Sequence, residues 1–242
     1  MAEISFEKRL QMCGRPDLPL IMHQNWSHLL FLHWKVDKEF IQNKLPEGLW
    51  VDTFQGEAYV SVLPFYLTQL KVPPLPHVPL LTDFLEVNVR TYVIDKEGNP
   101  GVWFFSLDIN SWVGMAVGNI IFSLPYHKAC IQSKVVDSTV YFSGHRSDVY
   151  FEFEYTPEND SYNSKADSLD FFLTERYLLY TLHHGKLYAG RVHHSAYYLS
   201  SIKSLKLNAN LLGSNGIHFS NKPDYLMYTA GLHVEFFKFQ KV

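Results

Sequence analysis

Cysteine is scarce in this chain of 242 residues: Cys13 and Cys130 are the two present. They lie far apart, match no metal-ligand spacing and are too few for a disulfide framework, so a reducing cytoplasm is the expected compartment. Long apolar runs are missing as well. None approaches the roughly 20 residues of a membrane span, and the opening MAEISFEKRLQMCGRPDLP carries charges where a signal peptide needs an apolar core. No membrane partner is expected. Basic residues are not in excess, with 21 Lys and Arg against 24 Asp and Glu for a net charge of −3. Their scatter removes the electrostatic footprint that phosphate-backbone binding requires, which excludes nucleic acid as a partner. Also absent are an HExxH zinc motif, a GxSxG elbow, a P-loop and a dinucleotide fingerprint. No cofactor and no metal are therefore implied.

What is present is apolar and aromatic. The composition is 47% hydrophobic, 16% aromatic and 19% charged, enough for a sizeable core in one domain spanning 1–242. Residues 3–12 read as a short amphipathic helix stopped by Gly14 and Pro16, and WSHLLFLHW (26–34) as a buried strand. Asp37 can cap a short helix, KEFIQNKL, ended by Pro46. LWVDTF and AYVSVLPFYLTQL flank Gly56 as a predicted hairpin. The segment VPPLPHVPLL holds four prolines, which predicts an irregular loop that is either a linker or a lid.

FLEVNVRTYV (84–93) and GVWFFSLDIN (101–110) flank the turn-rich DKEGNPG as a second hairpin. Residues 111–122 form a candidate helix capped by Ser111, with Gly114 and Gly118 marking close packing. Strand-like runs follow at 138–143 and 148–155, then the polar loop TPENDSYNSKADS. LTERYLLYTL and LYAGRVHHSAYYL around HHGK read as a third hairpin, and LHVEFFKF as a last strand. The pattern predicts a mainly β, mostly antiparallel architecture, either a barrel or two packed sheets, with a few short helices.

The chemistry concentrates in FLEVNVRTYV. In an extended strand Glu86, Asn88, Arg90 and Tyr92 share one face, while Val87, Val89, Thr91 and Val93 share the other. Matching the valines to Trp103, Phe105, Leu107 and Ile109 across the hairpin adds Ser106 and Asp108 to the polar face. This face reads either as a wetted surface with an Arg paired to a carboxylate or as the lining of an enclosed space that binds a small polar ligand. GRVHHSAYYL supplies a second candidate. Its register sets His194 near Glu175 and His193 near Arg176, and a His–Glu hydrogen bond would make an acid/base pair; a histidine satisfied within a sheet is the alternative.

Several strings taken together, HQNWSHLLFLHWKV, FLEVNVRTYV, GVWFFSLD, SLPYHKA, LTERYLLY, LYAGRVHH and GLHVEFF, resemble the YqjF-like family over roughly residues 22–239. That family is similar to the acetoacetate-decarboxylase-like superfamily. The resemblance implies a β-rich barrel or cone around a small cavity, and it favours an inward position for Glu86 and Arg90. In the decarboxylases a lysine after a proline forms a Schiff base with substrate. Here Pro125 is followed by Tyr126 and His127, and Lys128 comes one place late. Asn119 stands where relatives usually carry Arg.

Two functions follow as expectations. One is a binding protein for a small organic oxo- or carboxylate-containing molecule, held by Asn88 and Arg90 within aromatic walls. The alternative is a lyase-type enzyme acting on a small oxo-acid without the usual lysine, with Glu86 as acid/base, Arg90 orienting substrate, and Tyr126 or His127 handling a proton. Either protein leaves room for a homo-oligomer.

Overall fold

The computed structural model describes residues 4–73, 82–218 and 222–242. Strand makes up 56% of it and helix 14%. The strands in chain order begin with β1 (Leu20–Val36), β2 (Leu49–Val51), β3 (Ala58–Lys71), β4 (Phe84–Asp95), β5 (Pro100–Ile109) and β6 (Tyr126–Lys128). There follow β7 (Cys130–Val136), β8 (Thr139–Arg146), β9 (Val149–Pro157), β10 (Tyr162–Asn163), β11 (Leu178–His183) and β12 (Lys186–His194). The last are β13 (Tyr198–Ser200), β14 (Ile202–Ala209), β15 (Tyr225–Phe237) and β16 (Gln240–Lys241). The helices are short: α1 (Phe6–Gln11), α2 (Lys38–Gln42), α3 (Trp112–Ile121), α4 (Leu169–Thr174) and α5 (Leu211–Ser214).

Seven strands close a barrel in the order β1, β3, β4, β5, β11, β12 and β15, with β15 returning to β1. Its neighbours are antiparallel except for the short parallel pairing of β5 with β11. A second sheet, β14-β9-β8-β7, packs on the outside of the barrel wall. Leu30, Leu32, Val62, Val87 and Val89 from the wall meet Val140, Phe142, Phe151 and Phe153 from that sheet. The wall strands are thus buried on both faces, and β4 has one residue above the buried class in its twelve. Covering one large side chain such as Phe151 contributes about 1.5–3 kcal/mol.

The long β1 reverses its facing at His28, a non-glycine residue with φ of 52°. Pairing with β3 shifts between Ser27 and Leu32, as a bulge requires. Before it, Met22, Gln24 and Trp26 look into the barrel; after it Leu29 does so. The freed carbonyl of His28 accepts a 2.7 Å hydrogen bond from the Tyr155 hydroxyl of the second sheet, so the kink is satisfied rather than orphaned.

Helix caps follow the sequence. The side chains of Asp37 and Ser111 accept from the N–H groups of Phe40 and Gly114. Two pairings differ from expectation. β2 joins β4 rather than β3, because the Gln55–Gly56 turn closes with a lone Phe54–Glu57 bridge and ends pairing there. LTER is not strand: Ser168 caps α4, and β11 begins at Leu178. The proline-rich stretch at 72–81 falls almost wholly outside the described residues. Among them no helix is long and apolar enough to cross a membrane.

Candidate functional site

A cavity of about 410 Å³ occupies the barrel interior. β4 runs along it, and Phe84, Glu86, Asn88 and Arg90 all face it, as alternate residues of one strand must. Most of the remaining lining is apolar, including Leu63, Phe65, Leu67, Phe104 and Leu107 from the flanking strands. The polar face of β4 lines an enclosed space and does not meet bulk water. Glu86, Asn88 and Arg90 are 3%, 5% and 7% exposed.

Midway along the cavity, the Tyr126 hydroxyl and the Asn88 amide donate to the two oxygens of Glu86 at 3.3 and 3.4 Å. Burial pushes this carboxyl up to about 7 against the pull of both hydrogen bonds. Tyr126 is positioned by α3. Asn119 accepts from the Tyr126 N–H at 2.9 Å and donates to its carbonyl at 3.1 Å. A Cβ at Gly118 would sit 2.2 Å from the ring, so glycine there lets the tyrosine pass beneath the helix.

The far end is cationic. Arg90 and Arg176 both lie over the Tyr92 ring, 5.7 and 4.9 Å from its centre. Arg176 donates to the Phe172 carbonyl and to Asp52, at 2.7 and 2.6 Å. Asp52 is also gripped through both oxygens by Arg9 of α1 at 2.7 Å. Burial would raise this carboxyl, but Arg176 and Arg9 together hold it below its usual range. Two guanidinium groups thus share one carboxylate. Arg90 has a long 3.4 Å hydrogen bond to the Leu173 carbonyl and, among the described residues, forms no ion pair. Arg90 Nε, Arg176 Nη2 and Asn88 Oδ1 are buried and unpartnered. Burial lowers Arg176 to about 10, which leaves it charged at neutral pH. The interior therefore carries surplus positive charge and idle donors.

His194 lines the same end, stacked on Tyr177 with ring centres 4.5 Å apart. Burial brings its imidazole down to about 4, with Arg90 among the smaller causes, so it is neutral at pH 7.

The model of the family DUF2071, uncharacterized conserved protein, matches residues 23–233. The chain belongs to DUF2071. This member is 36% identical over 229 residues to the uncharacterized protein YqjF of Bacillus subtilis, covering 93% of the chain and 94% of that protein. Its fold is acetoacetate-decarboxylase-like. The acetoacetate decarboxylase of Legionella pneumophila superposes with a TM-score of 0.66 at 13% identity, over 94% of this chain and 90% of that one. The enduracididine biosynthesis enzyme MppR complexed with pyruvate gives 0.65 at 13% identity, over 94% and 93%. At these identities the likeness shows the fold alone.

Not every predicted residue of the DUF2071 chain reaches the cavity. Ser106 and Asp108 face the opposite way: Val87 pairs with Asp108 and Val89 with Ser106, while Arg90 already pairs with Phe104. Phe105 is the extra residue of a bulge, which inverts the facing expected from simple alternation. Ser106 accepts from Asn215 at 3.1 Å, and Asp108 accepts a short hydrogen bond from Arg146 of the second sheet. His127 is on that outer side too, exposed and next to Arg146 and Asp108. Lys128 donates to its neighbour's carbonyl at 2.9 Å and lies over Trp112; no lysine lines the cavity among the described residues.

Glu175 also turns away, accepting from the Tyr177 hydroxyl and the Tyr197 N–H. The His194–Glu175 pair does not form; His194 Nδ1 is 2.9 Å from the Ser195 carbonyl. His193 lies 3.4 Å from Glu235, not beside the Arg176 side chain. Conversely, Gln24 and Arg176 line the cavity without having been singled out. Gln24 was detectable as the one polar residue between Met22 and Trp26 at spacing two. Arg176 sits in the irregular turn after α4, where no periodicity exists to read.

Proposed function

We propose that this protein binds a small organic anion inside the barrel, with a carboxylate on Arg90 and Arg176 and a carbonyl or hydroxyl oxygen within reach of Asn88 and Glu86. The observation that carries this reading is the pair of buried guanidinium groups with unpartnered N–H donors at the Tyr92 end of the cavity. A buried donor without a partner costs about 1–3 kcal/mol, and a carboxylate would satisfy both with charge-assisted hydrogen bonds. Arg90→Ala should abolish the thermal stabilisation produced by small carboxylates while leaving the fold intact by circular dichroism. An undiminished response in that variant would remove Arg90 from the site. A cytoplasmic location fits the free thiols of Cys13 and Cys130.

A second reading is favoured by Glu86 specifically. A carboxyl poised near 7 beside a tyrosine hydroxyl suits proton transfer at neutral pH, and supports a lyase-type reaction on an oxo-acid. Glu86 Oε2 would take or return the proton, and the arginines would hold the substrate carboxylate. With Lys128 outside the cavity, the chemistry proceeds without an imine. Turnover lost in Glu86→Gln with affinity retained is the expected result; equal turnover in that variant would leave binding as the whole activity.

A further inference from the structure

Resting on the anion-binding reading above, we infer that the ligand is a carboxylate with a long apolar body, in the class of medium-chain 2-oxo or 2-hydroxy acids, rather than a short acid of the pyruvate kind. Three observations converge. First, the volume of about 410 Å³ equals roughly 14 waters at about 30 Å³ each, more than twice the room pyruvate needs even at one such share per non-hydrogen atom. A short acid would leave the apolar walls facing water.

Second, the polar groups are not spread evenly. The unpartnered arginines stand at the Arg90 end of β4, where Tyr92 and Phe172 close the barrel beneath them. Six residues back along the same face stands Phe84, opposite Leu67 on β3, about 20 Å away at the strand rise. That end is mostly apolar: Leu70, Val72, Val113 and Phe122 join Phe84 and Leu67 there or on the α3 side of the cavity, with Thr82 and Gln24 as its uncharged polar residues. One end therefore suits a charged head and the other a hydrocarbon tail.

Third, the carboxyl between them does not oppose an apolar chain. Glu86 is largely protonated below neutrality and already engaged by Asn88 and Tyr126. The tail passes a carboxyl whose two oxygens are both hydrogen-bonded and which is about half protonated at neutral pH. Likewise α3, which forms one wall through Val113, Val117 and Gly118, contains no charged residue.

The test is calorimetric titration of the full chain with 2-oxo acids from pyruvate through 2-oxohexanoate and 2-oxooctanoate to 2-oxododecanoate, repeated with Arg90→Ala. Affinity should rise about fourfold per added methylene up to 2-oxooctanoate or 2-oxodecanoate and then level or fall, and be lost in the variant. Leu67→Trp, which fills the tail end, should weaken 2-oxodecanoate at least tenfold while leaving pyruvate unchanged. Flat, Arg90-dependent affinity along the series would overturn the long-chain inference and leave the anion reading standing. Binding that rises with length but ignores Arg90→Ala, or no binding by any member, would overturn both.

Discussion

An ionised carboxylate enclosed by apolar walls is costly, so Glu86 keeps its proton to about pH 7 in the folded barrel. Unfolded, the same group ionises near 4.5. The native state thus holds more protons between these values, and stability from this residue is lost as pH rises from 4.5 through 7. The full difference is on the order of 3 kcal/mol. Glu86→Gln should raise the melting temperature by several degrees at pH 8 and hardly at all at pH 4.5, as read by scanning calorimetry against the parent. Comparison with the parent is needed because His194, held down to about 4, contributes the opposite slope: its stabilisation is lost as pH falls from 6.5 toward 4. At this scale the sequence was a good guide along β4 and a poor one beyond it. Alternation puts Glu86, Asn88 and Arg90 on one face, but it carries no information about Phe105, whose bulge turns Ser106 and Asp108 outward.

Among the elements, α3 joins an ordinary helix to an unusual packing task. Its cap, Ser111, and its end before Pro125 are legible from residue types. That its glycines mark close packing is legible too; which residue they admit is not, since it depends on what lies underneath. Alanine is favoured over glycine in a helix by about 1 kcal/mol, yet a methyl at position 118 would collide with Tyr126. Gly118→Ala should therefore destabilise by about 1–3 kcal/mol net, and much of that cost should vanish in the Tyr126→Ala background. Urea denaturation of the double-mutant cycle measures the coupling; simple additivity would show that the ring and the helix do not constrain each other. The α4–β11 junction shows the converse failure. LTERYLLYTL looks like continuous strand, but capping by Ser168 and tertiary capture of Arg176 by Asp52 win over β propensity in its first half.

For the molecule as a whole, the wall of the barrel is buried on both faces because the second sheet covers its outer side. Phe151 is fully buried between the two layers, against Phe142 and Phe153. Phe151→Ala should cost about 3–5 kcal/mol, seen as a lower denaturant midpoint, with ligand-induced stabilisation per mole unchanged because the cavity lies on the other side of the wall. A loss of binding without loss of stability would mean that the outer sheet shapes the site directly. The amino-acid sequence by itself determined the strand-rich class, the helix caps, the β4–β5 hairpin and the sharing of one face by Glu86, Asn88 and Arg90, all of which depend on neighbours within a few positions. Tertiary structure decided that this face, which the resemblance only favoured as inward, lines the cavity, that Arg176 and Gln24 join it, and that Ser106, Asp108, His127 and Glu175 do not. The reason is physical: which side of a strand meets water is set by barrel closure, by a covering sheet and by single-residue bulges, and these arise from contacts between segments far apart in the chain.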